Sequence, residues 1–165
     1  MEIHFVPASM KRPTEQQLAC LDRASAMDLR YDYFFVNISL SMREFGRENF
    51  PGTPALDFVY RVLAAAENAH RGIPGQISFT ENDLLISLVP DGTEVTVTRS
   101  WDPAAATCSV DDLVAASCEF CKDLIDDTVR KYPAFQGNPF FSKLQKMQAA
   151  LSCGCQASSR DCWSQ

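Results

Sequence analysis

Apolar and polar positions alternate most plainly between residues 28 and 42. Phe34, Val36, Ile38, Leu40 and Met42 fall on one side of an extended chain, and Phe35, Asn37, Ser39 and Ser41 on the other. This period of two predicts one long strand from Asp28 to Met42, with one face apolar throughout and the other turning polar after Phe35. A short strand is predicted over Glu2 to Val6, ended by Pro7. Between them, Thr14 to Met27 reads as a helix with Thr14 as its cap. Leu18 and Leu21 are helically spaced, but the alanines and Ser25 leave little apolar face.

Arg43 to Gly52 (REFGRENFPG) carries no period and reads as a loop. Thr53-Pro54 then supplies a capping hydroxyl followed by proline, the pattern of a helix start. Leu56, Val59, Leu63 and Ala66 form its buried stripe, His70 and Arg71 suit the negative end of its dipole, and Gly72 stops it. Three strands follow: Gln76 to Thr80, a tight turn at Glu81-Asn82, Asp83 to Val89, and Glu94 to Trp101. Pro90-Asp91-Gly92-Thr93 is predicted to be a type I turn with glycine in the left-handed position. Val95, Val97 and Trp101 face one way, and Glu94, Thr96, Thr98 and Ser100 the other.

Ser109 opens the strongest helix, which runs to about Lys131 and stops at Pro133. Ser109 with Asp112 three residues on resembles a capping box, Asp standing in for Glu or Gln. A last helix runs from about Asn138 to Leu151, with Phe140, Phe141, Leu144, Met147 and Leu151 on its apolar side. The order β(α)β-α-βββ-α-α predicts an α+β fold, an antiparallel sheet of about four to five strands with helices packed on one face. Residues 1–151 make a single domain. Residues 152–165 (SCGCQASSRDCWSQ) have no periodicity and read as a flexible, Cys-containing tail.

Composition agrees with one folded domain. The 165 residues are 46% hydrophobic and 22% charged, enough to bury a core without metal or disulfide staples. The net charge of −6 and pI near 4.8 argue against nucleic-acid binding and against docking to anionic lipid. Met1 to Met10 lacks the basic start and apolar run of a secretory leader, and no stretch reaches a membrane span. Seven cysteines, an odd number, argue against a secreted disulfide framework. A soluble protein of the reducing cytoplasm is expected.

Candidate chemistry is sparse. On the helix from Ser109 to Lys131, Leu113, Ser117, Phe120, Cys121, Leu124, Ile125 and Thr128 share one half of the wheel. Asp112, Glu119, Asp123, Asp126 and Asp127 are read as clustering opposite, with Lys122 and Lys131 only at the flank. That strip is either a solvated helix face or a docking site for a basic partner, and it interleaves few lysines for i,i+4 pairs. Ser100-Trp101-Asp102-Pro103 ends a strand in a large aromatic. Trp101 with Asp102 is a second partner-binding candidate, against the plainer reading of a Trp closing the core.

The remaining chemistry-bearing residues have structural readings. Cys118 and Cys121 form a CxxC in mid-helix, nearly three turns from the dipole that would activate a thiol, and Cys153-Gly154-Cys155 is too tight a partner for a usual zinc knuckle. They read as small buried hydrophobes, and the thiols of Cys153, Cys155 and Cys162 as belonging to a terminal extension. His4 and His70 join no nucleophile or HExxH motif. Glu81, Asp83 and Asp91 are explained by turns. No glycine-rich phosphate loop occurs. No catalytic residue, metal site or cofactor is therefore assigned.

The run PGQISFTENDLLISLVPDGTEVTVTRSWDP, followed by a Ser-capped helix and a Tyr-Pro stop, resembles small bacterial cytosolic proteins, among them immunity proteins of polymorphic or contact-dependent toxin systems. The resemblance spans roughly Thr53 to Leu151. It implies a protein without catalysis that neutralises a partner toxin by occluding it, an acidic surface suiting a basic nuclease. The alternative is a small-ligand-binding or enzymatic module using the concave face of the sheet. A homodimer is also compatible with the sequence.

Overall fold

The structure, a computed structural model, describes residues 1–79 and 83–158, the last five by backbone alone. The fold is α+β. Its strands divide between two antiparallel sheets. The first has the order β1-β2-β3 and the second β4-β5-β6-β7. Five α-helices among the described residues complete the fold, and one continuous core runs from Ile3 to Leu151.

In the first sheet, β1 (Glu2–Phe5) and β3 (Gly46–Pro54) flank β2 (Phe35–Met42). The predicted apolar face is present: Phe34, Val36, Ile38, Leu40 and Met42 are all buried. The strand is shorter than expected, because residues 26–31 are helical. Thr14 caps α1 (Glu15–Leu18) in a full capping box with Gln17. Ser25 then caps α2 (Ala26–Tyr31) by accepting from the Asp28 N–H. Tyr31, Tyr33 and Phe35 look like strand residues, but a capped turn that buries Leu29 prevails over that local preference. Phe34, at φ 52°, redirects the chain from α2 into β2.

The predicted loop at Arg43 to Gly52 is a hairpin. Gly46 adopts φ +70° and pairs with Met42, so Arg43-Glu44-Phe45 is a three-residue turn closed by a left-handed glycine. Pro51 and Gly52 hide the strand period. The ladder shifts register between Val36 and Ile38, opposite Gly52 at φ +63°. Phe50 and Thr53 are nonetheless buried. Pro54 is the N-cap of α3 (Ala55–His70). The Thr53 hydroxyl donates to Phe50 O instead of capping the helix. Leu56, Val59, Leu63 and Ala66 form the expected buried stripe, and Gly72 at φ +71° follows the helix.

The second sheet is a meander of β4 (Gly75–Ser78), β5 (Leu85–Asp91), β6 (Glu94–Arg99) and β7 (Asp102–Ser109). The turn predicted at Glu81-Asn82 lies outside the described residues. Asp91 pairs with Glu94, and Gly92 alone of the two turn residues has positive φ, at +62°. That is the pattern of a type II′ turn, not the predicted type I. β7 (DPAAATCS) is an unforeseen fourth strand. Proline and three alanines are poor strand formers, but pairing with β6 and burial of Ala106 hold it in place.

α4 (Val110–Lys131) starts at Ser109, whose hydroxyl accepts from the Asp112 N–H. α5 (Pro139–Ser158) is capped by Asn138 and runs seven residues beyond the predicted end. Residues 152–158 therefore continue a helix instead of forming a loose tail. Gln148 Nε2 donates to Cys118 O, and the Cys118 thiol donates to Gln148 O at 3.8 Å. These bonds dock α5 on α4 without needing an apolar period. Cys162 lies outside the described residues.

Candidate functional site

β1 is an edge strand, and α4 lies beside it and runs in the same direction. Ile3 is buried, and Phe5 meets Phe120 edge-on at 6.1 Å between ring centres. The seam has two adjoining hollows. One, of about 330 Å³, lies between Met1 to His4 and the first half of α4, including Asp112 and Glu119. The other, of about 320 Å³, lies between Ile3 to Pro7 and the second half, including Asp123, Asp126 and Arg130. Ile3 and His4 line both, so the hollows form one trough with acidic side chains along its helical wall. From Asp112 to Asp126 that wall is about 21 Å long, at 1.5 Å per residue.

The carboxylates differ in their surroundings. Asp112, Glu119 and Asp123 are exposed and have no ion-pair partner among the described residues. Asp126 faces Lys122 at 3.3 Å, but both side chains are about two-thirds exposed, a geometry worth at most about 0.5 kcal/mol. Asp127 does not belong to the exposed row. At 100° per residue it lies 20° beyond Phe120 on the side of Asp123, at the rim of the apolar arc. Its side chain is 4% exposed and binds Arg130 and Lys131. Burial would raise its pKa, but hydrogen bonds from Lys131 and Arg130 outweigh burial and hold it below the ordinary carboxylate value. Lys131 Nζ also donates to Pro7 O at 2.8 Å, tying the end of α4 to the chain leaving β1. Asp127 thus shapes the trough floor instead of offering charge to a partner.

The edge of β1 adds a feature that sequence alone could not supply. The Val6 N–H donates to Asn37 O, and β1 pairs with β2 as Phe5↔Ile38, His4↔Ser39, Ile3↔Leu40 and Glu2↔Ser41. Bonded and non-bonded pairs alternate along an antiparallel ladder. Glu2 and His4 therefore direct their backbone groups to β2, while the N–H and C=O of Ile3 and Phe5 point off the outer edge, toward the trough. No described strand pairs with that edge.

Trp101 and Asp102 belong to another cluster, at the junction of the two sheets. Trp101 is half-buried, 5.9 Å edge-on from Phe50, which stacks on Phe79 at 4.4 Å. Asp102 binds Arg99 at 3.2 Å and accepts from the Ala104 N–H. Arg99 shares the inward parity of Val95 and Val97, and its charge alone set it apart from the expected apolar face. Its side chain is 4% exposed, pairs with Glu48 from β3 and lies 3.7 Å from the centre of the Phe45 ring. Arg99 Nε and Glu48 Oε2 are buried without partners. Trp101 and Asp102 therefore lock β6 and β7 to β3, and the core-closing reading of the Trp fits better than an exposed anchor.

A second buried ion cluster also escaped the sequence. Asp57, on the inner face of α3, accepts from Arg30 Nε and Arg61 Nε, each at 2.7 Å, and Arg30 stacks 4.4 Å from the centre of the Tyr60 ring. Burial works against the Arg61 charge, but its Asp57 bond prevails and the pKa is raised. Cys121 is fully buried and its thiol is pushed up to about 12, first by burial and then by Cys118. Cys118 is half-buried against Gln148 O of α5. Among the described residues, no three His, Cys, Asp or Glu side chains are grouped to hold a metal ion. No described helix is long and apolar enough to cross a membrane. The inward face of the second sheet, with Ile77, Ile86, Leu88, Val95 and Val97, is wholly buried core. The chain matches no described protein family, no curated protein and no solved structure.

Proposed function

We propose that this is a non-catalytic cytoplasmic protein that binds a partner protein through the trough between β1 and α4, and that it works as an immunity-type protein, covering a basic toxin domain. The observation that supports this is the state of Asp112, Glu119 and Asp123. They line the two hollows and make no ion pair among the described residues. The buried carboxylates Asp57 and Asp127 are compensated within the fold, so their use is structural. The row of like charges makes the local potential more negative, which speeds encounter with a cationic surface.

The test is titration with the toxin domain encoded beside this chain. The expected result is binding tighter than micromolar with loss of toxin activity. Failure to bind any co-encoded toxin domain at micromolar concentration overturns the immunity reading.

A further inference from the structure

We infer that the trough takes its partner as an extended basic segment that adds as an antiparallel strand to the open edge of β1, with its cationic side chains along the acidic wall of α4. This rests on the binding reading above and names the form the partner takes. The open edge offers two N–H and two C=O groups from Ile3 and Phe5, spaced as a ladder requires. The helical wall of about 21 Å matches about six extended residues at about 3.3 Å each. In an antiparallel ladder, residues directly opposite share a face. Ile3 and Phe5 turn their side chains toward α4, so the incoming residues bonded to them also face α4. Those residues meet Asp112, Glu119 and Asp123, and complementarity demands Lys or Arg there. A second copy of this chain is a poor occupant, because joining two β1 edges brings two acidic walls together. The edge is also short, and Glu2 and His4 are exposed on it, which discourages promiscuous pairing.

The probe is a capped seven-residue peptide of alternating lysine and valine, beginning and ending in lysine, with two analogues. One is N-methylated on the backbone of its inner lysines, the other on its valines. Charge and side chains are the same in all three. If lysines face α4, their backbone N–H groups make the ladder bonds with Ile3 and Phe5, while the valine N–H groups face away. The expected result is that lysine methylation weakens binding at least tenfold and valine methylation changes it little. The Ile3 and Phe5 amides should become protected from hydrogen exchange on adding the parent peptide. Equal binding of all three peptides overturns strand addition, and so does loss confined to the valine-methylated analogue or no binding of the parent peptide. A dimer with Ile3 and Phe5 already protected before peptide is added overturns it too. The two readings fail separately: a toxin domain that binds while leaving both amides exchanging keeps partner binding and removes the strand, whereas peptide binding without toxin binding removes the immunity role alone.

Discussion

Asp127 shows how one residue can pass from the surface to the frame. It stands on the helix wheel between Phe120, which is buried, and Asp123, which is exposed, and its charge is met by Arg130 and Lys131. Asp127→Asn is expected to lower stability by about 1–2 kcal/mol at neutral pH, since hydrogen bonds to charged groups are the stronger kind but Arg130 is largely solvated. The folded carboxyl titrates below its unfolded value, so its stabilisation is complete above the ordinary Asp pKa of about 3.9 and is lost as pH falls through the lower folded value. Urea melts of the parent and variant should therefore differ at pH 7 and converge under strong acid. A gap that persisted unchanged into strong acid would show that the charge is not the cause. Cysteine reactivity follows the same logic. Cys153 is exposed, and Cys121 is buried with a thiol pushed up to about 12. Iodoacetamide at pH 8 should modify Cys153 and spare Cys121 in the folded protein, as read by peptide mass mapping. The position of Asp127 was legible in the sequence, since the 100° step places it beside Phe120. A count of acidic residues hid it.

At the scale of elements, apolar periodicity was legible, capping only in part, since Thr53 does not cap α3, and composition was misleading. α4 begins at its Ser109 cap, the buried stripe of α3 is as expected, and β2 buries the alternating set. β3 and β7 were missed because glycine, proline and alanine hide a strand whose stability comes from its neighbours. α2 is hidden because Tyr31 and the aromatics just after it look like strand residues when tertiary context is absent. The junction between the sheets depends on a pair that neither strand announces, Arg99 with Glu48. Arg99→Met leaves the Glu48 carboxylate without its counter-charge and should cost about 3 kcal/mol, the low end for a broken buried pair because Glu48 keeps some solvent contact. Adding Glu48→Leu should recover a large part of that loss, since two buried atoms of the native pair already lack partners. Thermal or urea unfolding of the single and double variants measures this. A double variant no more stable than Arg99→Met would show that the pair is held by more than its mutual charge.

At the scale of the whole molecule, the acidic helix acquires its setting only when β1, which ends at Phe5, far before the Ser109 cap in sequence, lies beside it. The row of carboxylates was legible in the sequence, but the trough and the open edge of β1 were not, because they depend on which strand the helix meets. Trp101 and Asp102, also candidates for contact with a partner, turned out to join the two sheets. The central claim is that the free charges of the trough draw in a cationic partner. The most direct measurement is the association rate constant with the co-encoded toxin domain, for the parent chain and for the Asp123→Lys, Asp126→Lys double variant, at low and high salt. Both positions are exposed, so the fold should survive. Association slowed by about tenfold or more at low salt is expected, with rates that converge as salt screens the charges. Equal association rates at low salt would contradict the claim.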